Sequence, residues 1–237
     1  TIGWRDPIRL SLPMKLFQLD RLAQQHSTTQ AKSPALMDRL LQAIAWVEAQ
    51  INATPTGPDA EAVDRFADVL VNSHQTALLN AGDLADDLDA AIKAAEPADR
   101  LPLAIARAGF MAHGLGLAHT HVRLNATQIH NFVRQKLDIP DDPANPSHRR
   151  AVLNRLNDAL DTVQAVPVDF GALMSDPSTA GRLMMTVAQI SKHIDNETPV
   201  RFLIAETETG YTLLAALWAA LHFGVADKVE ISPLFET

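Results

Sequence analysis

The sequence contains no cysteine, which excludes disulfide bonds and thiolate metal sites and makes a reducing cytoplasm the default compartment. Basic residues are in the minority: 20 Lys and Arg stand against 28 Asp and Glu, for a net charge of -8. Nucleic acid is therefore not an expected partner, because binding phosphate backbones requires a concentrated basic face. No apolar stretch is long enough to span a bilayer; the richest, around residues 213–221, reads as a buried helix, so no membrane partner is expected. The first residues, Thr1-Ile2-Gly3-Trp4-Arg5-Asp6, lack the apolar core of a signal peptide. Low-complexity tracts and internal repeats are missing. So are the nucleophile elbow, the P-loop and the Rossmann fingerprint.

What is present is a globular composition, with 47% hydrophobic residues over 237 positions, enough for one large domain or two small ones. Most of it has helical spacing. Leu36, Leu40, Ile44, Val47 and Ile51 follow Ser33-Pro34, a good helix start. Val63, Phe66, Val69 and Leu70 mark a second helix, and Leu84, Leu88 and Ile92 a third. Pro97 and Pro102 bracket a short link before a helix over 103–112. Residues 140–146 form a loop, and Ser147 is read as the cap of a helix carrying Leu153, Leu156, Leu160 and Val163. A further helix covers 182–194 through Leu183, Val187 and Ile190.

Three segments break the helical rule. Residues 117–124, 200–205 and 229–234 are short, apolar and bounded by Gly, Pro or polar residues, and they read as strands. The last two flank a helical run over 212–223 closed by Gly224, a βαβ unit with parallel pairing. The expected fold is mainly α with an α/β C-terminal half. Residues 1–112 form a helical region and residues 113–237 part of a TIM-type parallel β/α barrel, both belonging to one larger domain. An open doubly wound sheet is the alternative.

Chemistry-bearing residues gather on the strands. His119, His121 and Arg123 lie at i, i+2 and i+4 of the first strand and share one face, opposite Ala118, Thr120 and Val122. Three ionisable groups on one face are costly to bury and are expected to line a polar cavity or a strand end. Arg123 is nearest the functional end, where a guanidinium holds a carboxylate or phosphate bidentately; a structural ion pair is the plainer reading. His-x-His also suits a divalent transition metal, as in barrel hydrolases, with Glu206 and Glu236 as the available strand-end carboxylates. His113 reads as a loop group and His130 as a helix-face group. Gly114-Leu115-Gly116 is a turn into a strand and does not cradle phosphate. Tyr211, the single tyrosine, and Trp218 read as packing residues. Glu236 follows the last strand with no helix after it, which reads as a larger enzyme cut beside a catalytic position, since barrel enzymes place chemistry at strand C-termini. As a ligand it would suit magnesium or manganese; as a plain helix N-terminal charge it would need no ligand.

Three stretches resemble phosphoenolpyruvate carboxylase. They are Gly114-Leu-Gly-Leu-Ala-His-Thr-His-Val-Arg-Leu-Asn125, Phe202-Leu-Ile-Ala-Glu206 with the helix after it, and residues 229–237 with Pro233-Leu-Phe-Glu-Thr237. Their order and spacing also resemble that family. The resemblance implies a TIM-type barrel wrapped in extra helices. It also implies carboxylation of phosphoenolpyruvate by bicarbonate, giving oxaloacetate and phosphate with Mg2+ or Mn2+, and a cytoplasmic homo-oligomer in the full-length protein. It makes Glu236 a metal ligand and Arg123 the strand-end arginine that meets substrate phosphate or carboxylate. His121 and Leu124 depart from the family's aspartate and glutamine, and the region around Gly210-Tyr211 departs from its serine-aspartate. The family's catalytic histidine, its second metal carboxylate and its lysine are not among these residues, so the chain by itself is expected to be inactive and to work with the rest of a parent chain. The other readings of the sequence are a metal-dependent hydrolase using His119 and His121, and a non-enzymatic helical interaction module.

Overall fold

The computed structural model describes residues 5–28, 33–57, 59–73, 76–117 and 119–235. They fall into two compact units, one made of Thr1–His119 with Ile190–Thr198, the other of Thr120–Gln189 with Pro199–Thr237.

The first unit is helical: α1 (Arg5–Ser27), α2 (Pro34–Ala53), α3 (Ala60–Ser73), a 3₁₀ turn (Ala81–Leu84), α4 (Ala85–Ala94) and α5 (Pro97–His113). α1 packs on α2 and α5, and α2 also meets α3 and α4. Ile8, Leu12 and Leu19 of α1, Leu36 and Leu40 of α2, Phe66 of α3 and Phe110 of α5 are buried, so the stripes read from the sequence for α2 and α3 are packing faces, while α1 is a helix the sequence reading did not mark. α5 is longer than the proline pattern implied. Pro97 is its first residue, where a missing N–H costs nothing, and Pro102 lies on its exposed side and forgoes one helical hydrogen bond. His113 is therefore the last residue of α5 and not a loop group. Gly114 follows at the C-cap with φ 64° and ψ -160°, a combination essentially confined to glycine.

A lysine is buried in this unit. Lys15 is 2% exposed, and its Nζ donates to the carbonyls of Leu78 and Ile194, the latter at 2.7 Å. Burial pulls its pKa down from 10.5 to about 8, partly opposed by the negative charges of Asp195 and Asp83. A neutral amine still has two N–H donors, so both hydrogen bonds survive loss of the proton.

The second unit holds the sheet: β1 (His121–Asn125), α6 (Ala126–Leu137), α7 (Arg149–Thr162), α8 (Phe170–Ser175), α9 (Thr179–His193, whose last turn is counted with the helical unit), β2 (Val200–Ala205), α10 (Gly210–His222) and β3 (Val229–Pro233). The strands are parallel in the order β1-β2-β3, with His121 opposite Arg201 and Arg201 opposite Glu230. The chain is thus mainly helical with a small parallel sheet.

Two further expectations were revised. β1 starts at His121, because its pairing with β2 begins where Arg201 N–H donates to the Thr120 carbonyl, and Leu117 is 45% exposed. Ser147 does not cap α7: its N–H donates to Asn145 Oδ1 inside a turn, and His148 occupies the cap position. α6 is instead started by Asn125, which accepts from Gln128 N–H while Gln128 Oε1 accepts from Asn125 N–H. Among the described residues no helix is long and apolar enough to cross a membrane.

Candidate functional site at the sheet and its strand ends

The two faces of the sheet differ because each strand alternates. Val122, Leu124, Phe202 and Ile204 are buried, and α6 and α10 pack on β1 and β3. His121, Arg123, Arg201 and Glu230 on the other face are exposed. The register lines them up in rows: His121, Arg201 and Glu230 across the three strands, then Arg123, Leu203 and Ser232. Parallel sheets ordinarily carry apolar residues and helices on both faces. Here one face is apolar and helix-backed, and the other is polar.

Arg123 stands on the polar face two residues before the end of β1. His121 shares the face, as alternation required, and both side chains are exposed. His119 precedes the strand and is exposed. Arg201 Nε lies 3.2 Å from Glu230 Oε2, an ion pair between half-exposed partners that contributes little stability. Arg201 and Glu230 are the polar alternates of their strands, which the apolar pattern around them signals. Among the described residues no three His, Asp or Glu side chains converge as a metal site, so nothing there completes a His119/His121 centre. Glu236 lies outside the described residues.

The rim at the C-terminal ends of β2 and β3 is tightly hydrogen-bonded. Leu234 N–H donates to Ile204 O at 2.8 Å, Thr207 N–H to Leu234 O at 3.1 Å, and the Thr207 hydroxyl to Ile204 O at 2.9 Å. Glu206 lies between these bonds with φ 58° and an exposed side chain. A left-handed conformation costs a residue with Cβ about 1–2 kcal/mol. The only other described non-glycine residue with positive φ, Asp138, ends α6, where a short polar side chain commonly adopts it. Glu206 has neither a helix end nor a short side chain to account for its conformation.

Behind the rim, α6 and α10 meet through His130. Its Nε2 is 2.9 Å from Thr212 Oγ1, and its ring meets Tyr211 edge-on with centroids 4.9 Å apart. Burial pulls His130 down to about 4 and pushes Tyr211 up to about 12. The imidazole is neutral at pH 7, and the tyrosine is a buried packing residue whose hydroxyl finds no hydrogen-bond partner among the described residues. Trp218 is also buried, tilted against Phe132 at 6.3 Å. The sequence marked His130, Tyr211 and Trp218 as helix and packing groups; it did not mark Thr212, which only the approach of the two helices joins to His130.

Chemically, the arrangement offers a cation, Arg123, on an exposed polar face and a carboxylate, Glu206, at the strand ends. Carboxylate oxygens are donors that fit a hard divalent cation, whereas the exposed histidines bring no third ligand. No known family, no curated protein and no solved structure matches this chain.

Proposed function

We propose that this chain forms part of the active-site wall of a phosphoenolpyruvate carboxylase, with its sheet as a segment of a parallel β/α barrel. One observation carries the reading. Arg123 stands on the exposed, polar face of a parallel sheet near its C-terminal edge, in the same unit in which β3 leads into Pro233-Leu234-Phe235. A sheet with helices on one side and ionisable residues on the other suits a barrel wall whose inner face meets substrate. The sequence resemblance supplies the chemistry: bicarbonate reacts with phosphoenolpyruvate, phosphate leaves, and oxaloacetate forms. Negative charge grows on oxygen as phosphate departs, and a fixed guanidinium stabilises it without reorganisation. Arg123 takes that role, holding the phosphate or carboxylate of the substrate through paired N–H donors. A bound Mg2+ or Mn2+ would supply Lewis-acid charge at the same oxygens, with Glu236 as its carboxylate ligand.

The test is a coupled oxaloacetate assay on the complete polypeptide that contains these residues, native and Arg123→Ala. The native protein is expected to turn over and the variant to lose at least about a hundredfold in turnover. The 237-residue chain alone is expected to be inactive. Absence of carboxylation in the complete polypeptide sinks the reading; full activity in Arg123→Ala reduces that residue to a structural ion pair.

A further inference from the structure

The polar face of the sheet carries two arginines, and the register fixes how they stand to one another. Arg123 pairs with Leu203 and His121 with Arg201, so Arg201 lies diagonally from Arg123 on the neighbouring strand. Both are exposed, and alternation puts both on the same face. The Cβ atoms of diagonal neighbours are about 7–8 Å apart, within reach of long side chains. Like charges so placed repel, and here they are brought together in a chain whose net charge is -8. Glu230 offsets part of that charge from the third strand, with its Oε2 at 3.2 Å from Arg201 Nε. A single carboxylate engages at most two of the five N–H donors of a guanidinium, so Arg201 keeps donors for a second anion. The same contact restrains the direction of its side chain.

We propose that Arg201 is a second anion-holding residue of this face and sets its specificity: it takes the carboxylate of a small ligand whose phosphate is held by Arg123. The inference deepens the carboxylase reading and rests on it for the identity of that ligand. Phosphoenolpyruvate carries both anionic groups on a three-carbon frame. Two flexible side chains rooted about 7–8 Å apart can converge on groups that lie closer together than that. Depth decides which arginine takes which group. Arg123 is one side-chain layer nearer the C-terminal edge of the sheet, where ligands of parallel sheets bind and leave. The phosphate departs in the reaction, so it belongs at that edge. The carboxylate stays with the carbon frame, so it belongs with Arg201. A ligand with a single anionic group engages a single arginine and binds more weakly.

The experiment titrates the 237-residue chain by NMR with phosphoenolpyruvate, pyruvate and inorganic phosphate. Pyruvate offers the carboxylate alone, and inorganic phosphate the phosphate alone. The proteins are native, Arg201→Gln, Arg123→Gln and Arg150→Gln. Arg150, an exposed arginine of α7, is the control that removes the same charge elsewhere. Arg201→Gln should weaken phosphoenolpyruvate and pyruvate by about 10–100-fold, the worth of hydrogen bonds between charged partners, and leave inorganic phosphate unchanged. Arg123→Gln should weaken phosphoenolpyruvate and inorganic phosphate and spare pyruvate. Arg150→Gln should change none of the three. The crossed pattern separates lost binding from lost folding, because an unfolded variant would lose every probe; the half-exposed pair of Arg201 with Glu230 contributes little to the fold. Failure of phosphoenolpyruvate to bind the native chain overturns the proposal. So does a loss in Arg201→Gln that spares pyruvate or falls equally on inorganic phosphate. In the complete polypeptide, Arg201→Gln should raise KM for phosphoenolpyruvate more than it lowers kcat. If Arg123→Ala abolishes carboxylation while Arg201→Gln keeps the native KM, the carboxylase reading stands and the Arg201 assignment fails. If the crossed binding pattern holds and the complete polypeptide does not carboxylate, the two-anion face stands and the carboxylase reading fails.

Discussion

Raising the pH from 7.5 to 10.5 should stabilise the helical unit, and Lys15 is the reason. Its pKa is about 8 in the folded chain against 10.5 in the unfolded one, and it is 2% exposed. At pH 7.5 the ammonium is largely retained in both states, and the folded state carries nearly the full cost of burying it. Between about 8 and 10.5 the unfolded chain still binds the proton and the folded chain does not, so stability climbs with pH. The whole window is worth about 3 kcal/mol. The hydrogen bonds to Leu78 O and Ile194 O do not offset this gain, since a neutral amine donates both. Lys15→Met isolates the effect. It leaves two carbonyls without their donor, a loss of about 1–3 kcal/mol each at every pH, and it cannot titrate. The native protein should therefore gain on the variant by about 3 kcal/mol across the window, whatever their difference at pH 7.5. Urea titrations in a Trp4→Phe, Trp218→Phe background would follow Trp46 of α2 in the helical unit. A stability gap that stays constant between pH 7.5 and 10.5 would falsify the argument, because it would mean that Lys15 keeps an ordinary pKa in the fold.

Two further outcomes follow from local geometry. Gly114→Ala should destabilise the helical unit by about 1–3 kcal/mol in the same urea assay, because φ 64° with ψ -160° is a combination essentially confined to glycine and the added Cβ would sit 3.4 Å from Thr198 Oγ1; an unchanged midpoint would show that the turn relaxes freely. His130, drawn from 6.5 to about 4 by burial, should stay neutral down to about pH 5 in an NMR titration of its ring protons. Its folded pKa is the lower one, so its contribution is present above 6.5 and is lost as the pH falls towards 4; a midpoint near 6.5 would show that Thr212 and Tyr211 do not enclose the ring.

Much of the architecture was legible because periodicity is local. Leu36, Leu40 and Val47 face the core of α2 as their spacing requires, and β2 spans the six residues that the apolar run marked. Alternation also fixed that His121 and Arg123 share a face. The misses were places where a partner decides. Pro102 entered a helix because its turn lies on the solvent side, Ser147 was drawn into a turn by Asn145 and left the cap position to His148, and β1 began late because β2 offers pairing only from Arg201. The strand-end position of Glu206 was visible, but its left-handed backbone was not, since that depends on bonds to Leu234 at the end of another strand.

The amino-acid order by itself determined a cysteine-free, acidic, mainly helical chain with three short strands, and it placed Arg123 and Glu206 towards strand ends. It could do so because hydrophobic period and turn chemistry act over a few residues. Only the tertiary structure decided that the polar face of the sheet lies open, that Lys15 is buried between two carbonyls, and that His130 meets Thr212. Those facts join residues as many as 179 positions apart, and no local pattern encodes such a contact.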